Sequence, residues 1–269
     1  MAASSQSVYT IRDGCFGYTN TPVLDDINLS ISRGKFYGLI GPNGSGKTTL
    51  LDMLATTTRP DRGEVLFKNR PVASYRRQEL ARLIALVPQD FTLGFDYTVF
   101  DVVLMGRHPH IPRFSNPSAK DLDLVENALT LMDITSLRDR AVTDLSGGEK
   151  QRVVVARALA QDTEVLILDE ATSNLDIRHT IEIMRVIYGR VVKTAVTVVA
   201  AIHDLNLAAA FCDELVVLDK GRIVAGGPVQ EILTNELIRQ VFSVEGHVYL
   251  HSHTQTPRVE YELNKNDTG

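Results

Sequence analysis

Tryptophan is absent from this 269-residue chain, aromatic residues make up only 6% of it, and cysteine occurs twice. The missing tryptophan excludes nothing. Cys15 and Cys212 sit in apolar surroundings without the spacing of a disulfide framework or a zinc site, so they read as buried free thiols, which suits the cytosol. No apolar run approaches the ~18 residues that a membrane-spanning helix needs. The nearest, Ala195–Ile202, is short and broken by Thr197. The opening Met-Ala-Ala-Ser-Ser-Gln-Ser has neither the basic region nor the apolar stretch of a secretory leader. Any contact with a membrane is therefore expected through a partner. Positive charge is not in excess either. A formal charge of −5 gives no long-range pull toward nucleic acid or anionic lipid and leaves only local basic runs at Arg76-Arg77 and Arg138–Arg140. What the chain does have is 44% apolar residues, enough to bury one large α/β domain or a core with a smaller lobe.

One stretch organises the rest. Gly41-Pro42-Asn43-Gly44-Ser45-Gly46-Lys47-Thr48-Thr49 follows an apolar run ending in Gly38-Leu39-Ile40 and opens a periodic one, Leu50, Leu51, Met53, Leu54. That is strand, glycine loop, helix, and the spacing is that of a phosphate-binding loop. Glycines let backbone N–H groups turn toward phosphate oxygens with no Cβ in the way. The helix start adds unpaired N–H groups and the positive end of its dipole. Lys47 supplies a cation for the β- and γ-phosphates and Thr48 a hydroxyl for Mg²⁺. A plain glycine turn beside an exposed lysine is the weaker interpretation.

Around this loop the chain alternates strand and helix. Val8–Tyr18 and Ile27–Ile31 form an antiparallel pair about a turn at 19–22, and Tyr18 is placed either as a turn aromatic or as a flat surface for adenine. Glu64–Phe67 and Leu83–Val87 read as strands and residues 76–83 as helical. Gln89 leaves the second of these strands at its carboxyl end, where ligands gather in open α/β sheets. An aromatic-rich loop follows with Phe91, Phe95, Tyr97 and Phe100, and the spacing predicts helices over 98–106 and 120–131. Between them, residues 107–117 hold three prolines and predict a stiff surface loop in which His108 and His110 form no convincing metal site.

Leu145-Ser146-Gly147-Gly148-Glu149-Lys150-Gln151 is the second signal. Ser146 with Glu149 makes a capping box. A cap does not require two glycines, so the turn also reads as a second anion site at a helix start. Val165–Leu168 is a buried strand ended by Asp169 and Glu170. Side chains alternate along a strand, so the two acids are assigned separate tasks: Asp169 to Mg²⁺ and Glu170 to the proton of an attacking water. A helix over Ile177–Val192 and a strand over Thr194–Ile202 follow, the latter ended by His203, which by itself reads equally as a local cap partner or, beside a triphosphate, as a hydrogen-bond donor to the γ-phosphate.

The ordered set Tyr18, Gly41–Thr49, Gln89, Leu145–Gln151, Leu166–Glu170, Ser173–Asp176 and His203 resembles the nucleotide-binding subunit of an ABC transporter over about residues 7–240. The resemblance implies an α/β P-loop NTPase fold with a mainly parallel core sheet, an antiparallel β subdomain and an inserted α-helical subdomain at about 90–160. It implies an ATPase domain over 1–245 and an extension at 246–269, with ATP and Mg²⁺ as cofactors. By the same resemblance, Lys47, Gln89, Glu170 and His203 are the catalytic set, with Thr48, Gln89 and Asp169 at the metal. Tyr18, Gly41–Thr49, Ser146, Gly147, Gly148, Glu149 and Asp176 hold nucleotide. Such subunits pair head to tail, so that Ser146–Glu149 of one copy closes on the nucleotide of the other. Ala171 departs from the pattern, which has proline after the glutamate. The segment Tyr97–His110, with Asp121, is similar to importers of iron-siderophore, haem and cobalamin, and molybdate or tungstate importers look nearly as close. That implies a homodimer on the cytoplasmic face of the membrane, bound to permease subunits and indirectly to a substrate-binding protein, with no nucleic acid. A soluble ABC ATPase is the alternative, although a single phosphate loop and a single signature favour the motor. The chain closes with two short strands expected over Val248–His253 and Arg258–Leu263, where His247, His251 and His253 read as exposed.

Overall fold

The computed structural model describes residues 7–18, 21–91, 95–172 and 175–262. Thr19 and Asn20 of the expected turn, Ser173 and Asn174 before the long helix, and Leu263 of the last expected strand lie outside them. The chain begins with β1 (Ser7–Phe16) and β2 (Leu24–Ser32), then β3 (Phe36–Ile40), the helix α1 (Lys47–Leu54), β4 (Arg62–Phe67) and the two-residue β5 (Arg70–Pro71). Next come α2 (Arg77–Ala81), β6 (Ile84–Val87), α3 (Val99–Met105), α4 (Ala119–Leu131), α5 (Gly147–Ala160), β7 (Val165–Leu168), α6 (Ile177–Thr194) and β8 (Thr197–Ala201). The last third holds α7 (Leu205–Phe211), β9 (Glu214–Asp219), β10 (Arg222–Pro228), α8 (Val229–Ile232), α9 (Asn235–Phe242), β11 (Gly246–Leu250) and β12 (Pro257–Tyr261).

Three sheets form. The central one runs β10-β9-β3-β8-β7-β6, parallel throughout except for the edge strand β10. Its middle strands are buried on both faces, as their unbroken apolar sequences require. The second sheet, β2-β1-β4-β5, is antiparallel and covers α1. The described residues pack into two apolar clusters. Phe67, Leu50 and Tyr37 belong to the one between the sheets, and Val99, Val125 and Val153 to the one on the opposite face.

Helices α3, α4 and α5 pack on one another in that second cluster. Each starts on a reciprocal cap, at Thr98 with Asp101, Ser118 with Asp121 and Ser146 with Glu149. The expected stiff surface loop needs correction at its start. Arg107 is buried, pairs with Asp121 at 2.9 Å and donates to the carbonyls of Ala160 and Gln161. The loop thus begins by capping the C-terminal end of α5, and a Cβ at the preceding Gly106 would lie 2.2 Å from the Arg157 carbonyl. His110 joins the same hub, its Nε2 donating to the Gln161 carbonyl oxygen at 2.9 Å, and burial lowers its pKa. The aromatic loop is corrected as well. Arg157 covers Phe91 and Arg138 covers Phe100, at 4.4 and 4.1 Å, so only Phe95 and Tyr97 of the four are exposed. Arg138 is further paired with Glu126 and Asp139, which dissolves that basic run. Cys15 lies in the antiparallel sheet; Cys212 lies against β3, where burial pushes its thiol pKa up.

Candidate functional site

Five adjacent parallel strands, β9, β3, β8, β7 and β6, deliver their carboxyl ends to one edge. Ligand sites collect at such edges because helix starts and loop ends face the same way there. The loop Gly41–Gly46 leaves β3 and α1 follows it at once. Gly41 (φ 151°) must lack a side chain, since a Cβ would stand 2.0 Å from the Leu218 carbonyl oxygen of β9. A cleft of about 520 Å³ opens beside the loop, lined by Val23, Asn43, Gly44, Gly46, Lys47, Thr48, Thr49, Gln89, Glu170 and His203.

Lys47 is buried, and its ammonium donates to the carbonyls of Gly41 and Pro42 at 2.9 and 3.0 Å. Burial lowers its pKa, partly offset by Glu170 and Asp169. The Thr48 hydroxyl donates to Asp169 Oδ1 at 3.2 Å. Burial raises the pKa of Asp169, so a cation brought to this pair would recover stabilisation that desolvation removes. Two further features bear on what fits the loop. Ser45 Oγ is buried with no hydrogen-bond partner among the described residues, and Gly44 (φ 76°) has nothing within 4 Å of the place its Cβ would take. An open, polar cradle at a helix N-terminus with a buried ammonium fits a nucleotide's phosphates, and Thr48 with Asp169 fits a divalent ion.

Glu170 is reached from both sides. Gln89 Nε2 donates to Oε2 at 3.0 Å, and His203 Nε2 lies 2.5 Å from Oε1. The two acids have different partners, and strand alternation is not the reason. Strand β7 ends at Leu168, and Glu170 sits at φ +48°, so a left-handed backbone step rather than strand alternation turns its carboxylate toward Gln89 and His203.

The remaining expected residues lie elsewhere. Tyr18 is exposed, edge-on to Phe16 at 5.0 Å, and does not line the cleft; Phe16 accepts from the N–H of Val23, which does. Ser146, Gly147, Gly148 and Glu149 start α5, with the Ser146 hydroxyl donating to Glu149 and accepting from its N–H. Asp176 caps α6, accepting from the His179 N–H at 2.9 Å, and that bond lowers its pKa. A Cβ on Gly148 would meet Leu175 and His179, whereas one on Gly147 would meet nothing within 4 Å. Glycine at 147 thus answers to no neighbour among the described residues of its own chain.

Two features escape the sequence reading. Asp219 and Lys220 end β9 at the same sheet edge and, with Gln240–Ser243 of α9 and its end, line a second cavity of about 610 Å³ behind the loop. The signal is present in the sequence, since Leu215–Leu218 is an apolar run ended by charges, as Val165–Leu168 is by Asp169 and Glu170. Val23 carries no such signal.

A family model described as ABC transporter matches residues 24–173, more than half of the chain. The hemin import ATP-binding protein of Thermobifida fusca is 41% identical over 247 residues, 90% of this chain and 84% of that one. The cobalamin import ATP-binding protein of Halobacterium salinarum is 44% identical over 222 residues, 82% of this chain, which spans only 55% of that protein's length. A solved inward-facing structure of a metal-chelate type ABC transporter superposes with a TM-score of 0.82 at 28% identity, covering 96% of this chain and 98% of that one. Sequence, fold and the sheet edge agree on one conclusion: the chain belongs to the ABC transporter family, as one of its ATP-binding cassettes.

Proposed function

We propose that the chain is the ATP-hydrolysing motor of an importer that moves a metal chelate, such as haem, cobalamin or a ferric siderophore, through a separate membrane permease. The names of the similar import proteins and of the metal-chelate transporter support the cargo class. Among the described residues no helix is long and apolar enough to cross a membrane. The chain would then sit on the cytoplasmic face of its permease, with a substrate-binding protein as an indirect partner.

One observation carries the motor reading: Lys47, Thr48, Gln89, Glu170 and His203 line one cleft, while Ser146–Glu149 and Asp176 do not. Among the described residues nothing faces Gly147. Each chain therefore offers half of a site, and a second copy placed head to tail supplies the other. Within it, the Gly41–Thr49 backbone and Lys47 hold the β- and γ-phosphates, and Tyr18 stacks on the base. Thr48, Asp169 and Gln89 hold Mg²⁺, which supplies neutralising charge when bound. Glu170 accepts the proton of the attacking water, and His203 orients Glu170 and donates to the γ-phosphate. The partner's Ser146, Gly147 and Gly148 approach from the far side, and Asp176 marks the seam.

Exposed Phe95, Tyr97 and Phe114 give the helical lobe an apolar surface on which a cytoplasmic helix of the permease docks. The test is to place cysteines at Phe95 and Phe114 and to crosslink to the co-purified membrane subunit with and without ATP. Crosslinks whose yield changes with ATP are expected; a chain that purifies without any membrane partner sinks the importer reading.

A further inference from the structure

The C-terminal hairpin of β11 and β12 is fastened at a single level from both of its edges. Val248 and Val259 face each other in its register. On one edge, Asn235 Oδ1, at the start of α9, accepts from the Val248 N–H at 2.6 Å. On the other edge the Asn206 amide exchanges both bonds with Val259, accepting from its N–H at 2.8 Å and donating to its carbonyl at 3.2 Å. Two asparagines thus engage three of the four outward-facing main-chain groups that a two-stranded hairpin leaves unpaired at that level.

What these asparagines stand on gives the arrangement its meaning. Asn206 is in the first turn of α7, three positions after His203, and Asp204 caps that turn through the N–H groups of Asn206 and Leu207. Asn235 opens α9, whose far end borders the second cavity behind the phosphate loop. The hairpin therefore bridges the helix that follows His203 and the helix that backs the loop. A seven-residue helix holds little stability of its own, so the direction of its first turn is set by what it is tied to. Its buried Leu205, Ala208 and Ala209 fix it to the core, and the Asn206 clamp fixes its entry.

We propose that residues 246–262 form a strut that holds His203 in register with Glu170, and that Asn206 is a positioning residue for hydrolysis acting through that strut. This rests on the ATPase reading of the site. Releasing the clamp lets the 202–204 turn swing, and the 2.5 Å contact between His203 Nε2 and Glu170 is what a swing would break. The nucleotide contacts of Lys47 and the loop are untouched by it. The signature of the strut is hence a fall in turnover without a fall in affinity.

The experiment uses the full chain with its transport partners and compares Asn206→Ala, Asn206→Asp and Asn235→Ala. Asn206→Ala should lower kcat for ATP about tenfold, the scale expected when a catalytic group loses its alignment, with KM and the affinity for a fluorescent ATP analogue unchanged. Asn206→Asp keeps the bond from the Val259 N–H and should lose less. Asn235→Ala frees the other edge and should show the same split between kcat and KM. Should Asn206→Ala fail to fold, the other two variants carry the comparison. In histidine-labelled protein, the ring signal that vanishes in His203→Ala should move in all three variants. An unchanged kcat, an equal loss of kcat and affinity, or an unmoved His203 signal overturns the strut while leaving the ATPase reading intact. A wild-type assembly that hydrolyses no ATP overturns both.

Discussion

Gln89 and Glu170, 81 positions apart in the sequence, are joined by a hydrogen bond of 3.0 Å from the glutamine amide to the glutamate carboxylate. The strand ends that carry them are neighbours in the central sheet, β6 beside β7. Gln89 also begins the loop that leads to exposed Phe95 and Tyr97. The proposed docking surface thus lies a few residues along the chain from a side chain bonded to Glu170.

Glu170→Gln preserves the size of the side chain and removes its capacity to take a proton. ATP should bind with wild-type affinity while hydrolysis falls about 10²–10⁴-fold, the usual contribution of a general base. The bound nucleotide then persists, so size exclusion with ATP should show a stable dimer that wild type does not hold. Near-normal turnover would remove Glu170 from the role of base.

Lys47→Ala acts at an earlier step. A charge-assisted hydrogen bond contributes roughly 1.5–3 kcal/mol, which corresponds to about 10- to 150-fold in ATP affinity. Titration with a fluorescent nucleotide reads this directly. Unchanged affinity would mean that the Lys47 ammonium stays on the carbonyls of Gly41 and Pro42 when nucleotide is present.

Ser146→Arg places bulk at the start of α5 and leaves the same chain's phosphate loop intact. Each copy should still bind ATP, but hydrolysis should fail in the homodimer. Mixed with Lys47→Ala chains, it forms heterodimers with one composite site free of both lesions, and part of the activity should return. Hydrolysis by a demonstrably monomeric wild-type chain would contradict the shared site.

Asp121 makes a prediction about acid. The Ser118 hydroxyl, ahead of Arg107, holds its carboxyl at about 2, against a desolvation that pushes upward. A depressed carboxyl stabilises the fold at every pH above its unfolded value near 4 and stops doing so as pH falls toward 2. Asp121→Asn should cost about 2 kcal/mol at neutral pH by that linkage. The gap to wild type, followed by urea midpoints, should close between about pH 4 and pH 2. A gap that stays constant over that interval would show that ionisation of Asp121 is not what the substitution removes.

How far the sequence led depends on how local each signal is. The phosphate loop was legible in full, because strand, glycines and helix start are consecutive and each has its own chemical reason. The ends of β6, β7 and β8 were legible as candidates, since apolar runs ended by polar groups mark the edge of a parallel sheet. Their meeting point was not, because strand order decides it. The turn at Glu170 could not be seen, as nothing in Leu168-Asp169-Glu170 announces a left-handed residue. Phe91 and Phe100 misled for a related reason: the arginines that cover them come from α5 and from the segment before it. The anchoring of Arg107 on Ala160 and of Asn206 on Val259 was not legible because each pair lies 53 positions apart.

The left-handed step at Glu170 sets stability against turnover at one position. A glutamate there carries about 1 kcal/mol or more of backbone strain that glycine would not. Glycine would also take away the one carboxylate that Gln89 and His203 both reach. If Glu170 is the base proposed above, a library of this protein selected for heat resistance alone would drift toward glycine at position 170, and its hardiest members would bind nucleotide and do nothing with it. Selecting for both properties should confine the gains to surfaces far from that turn.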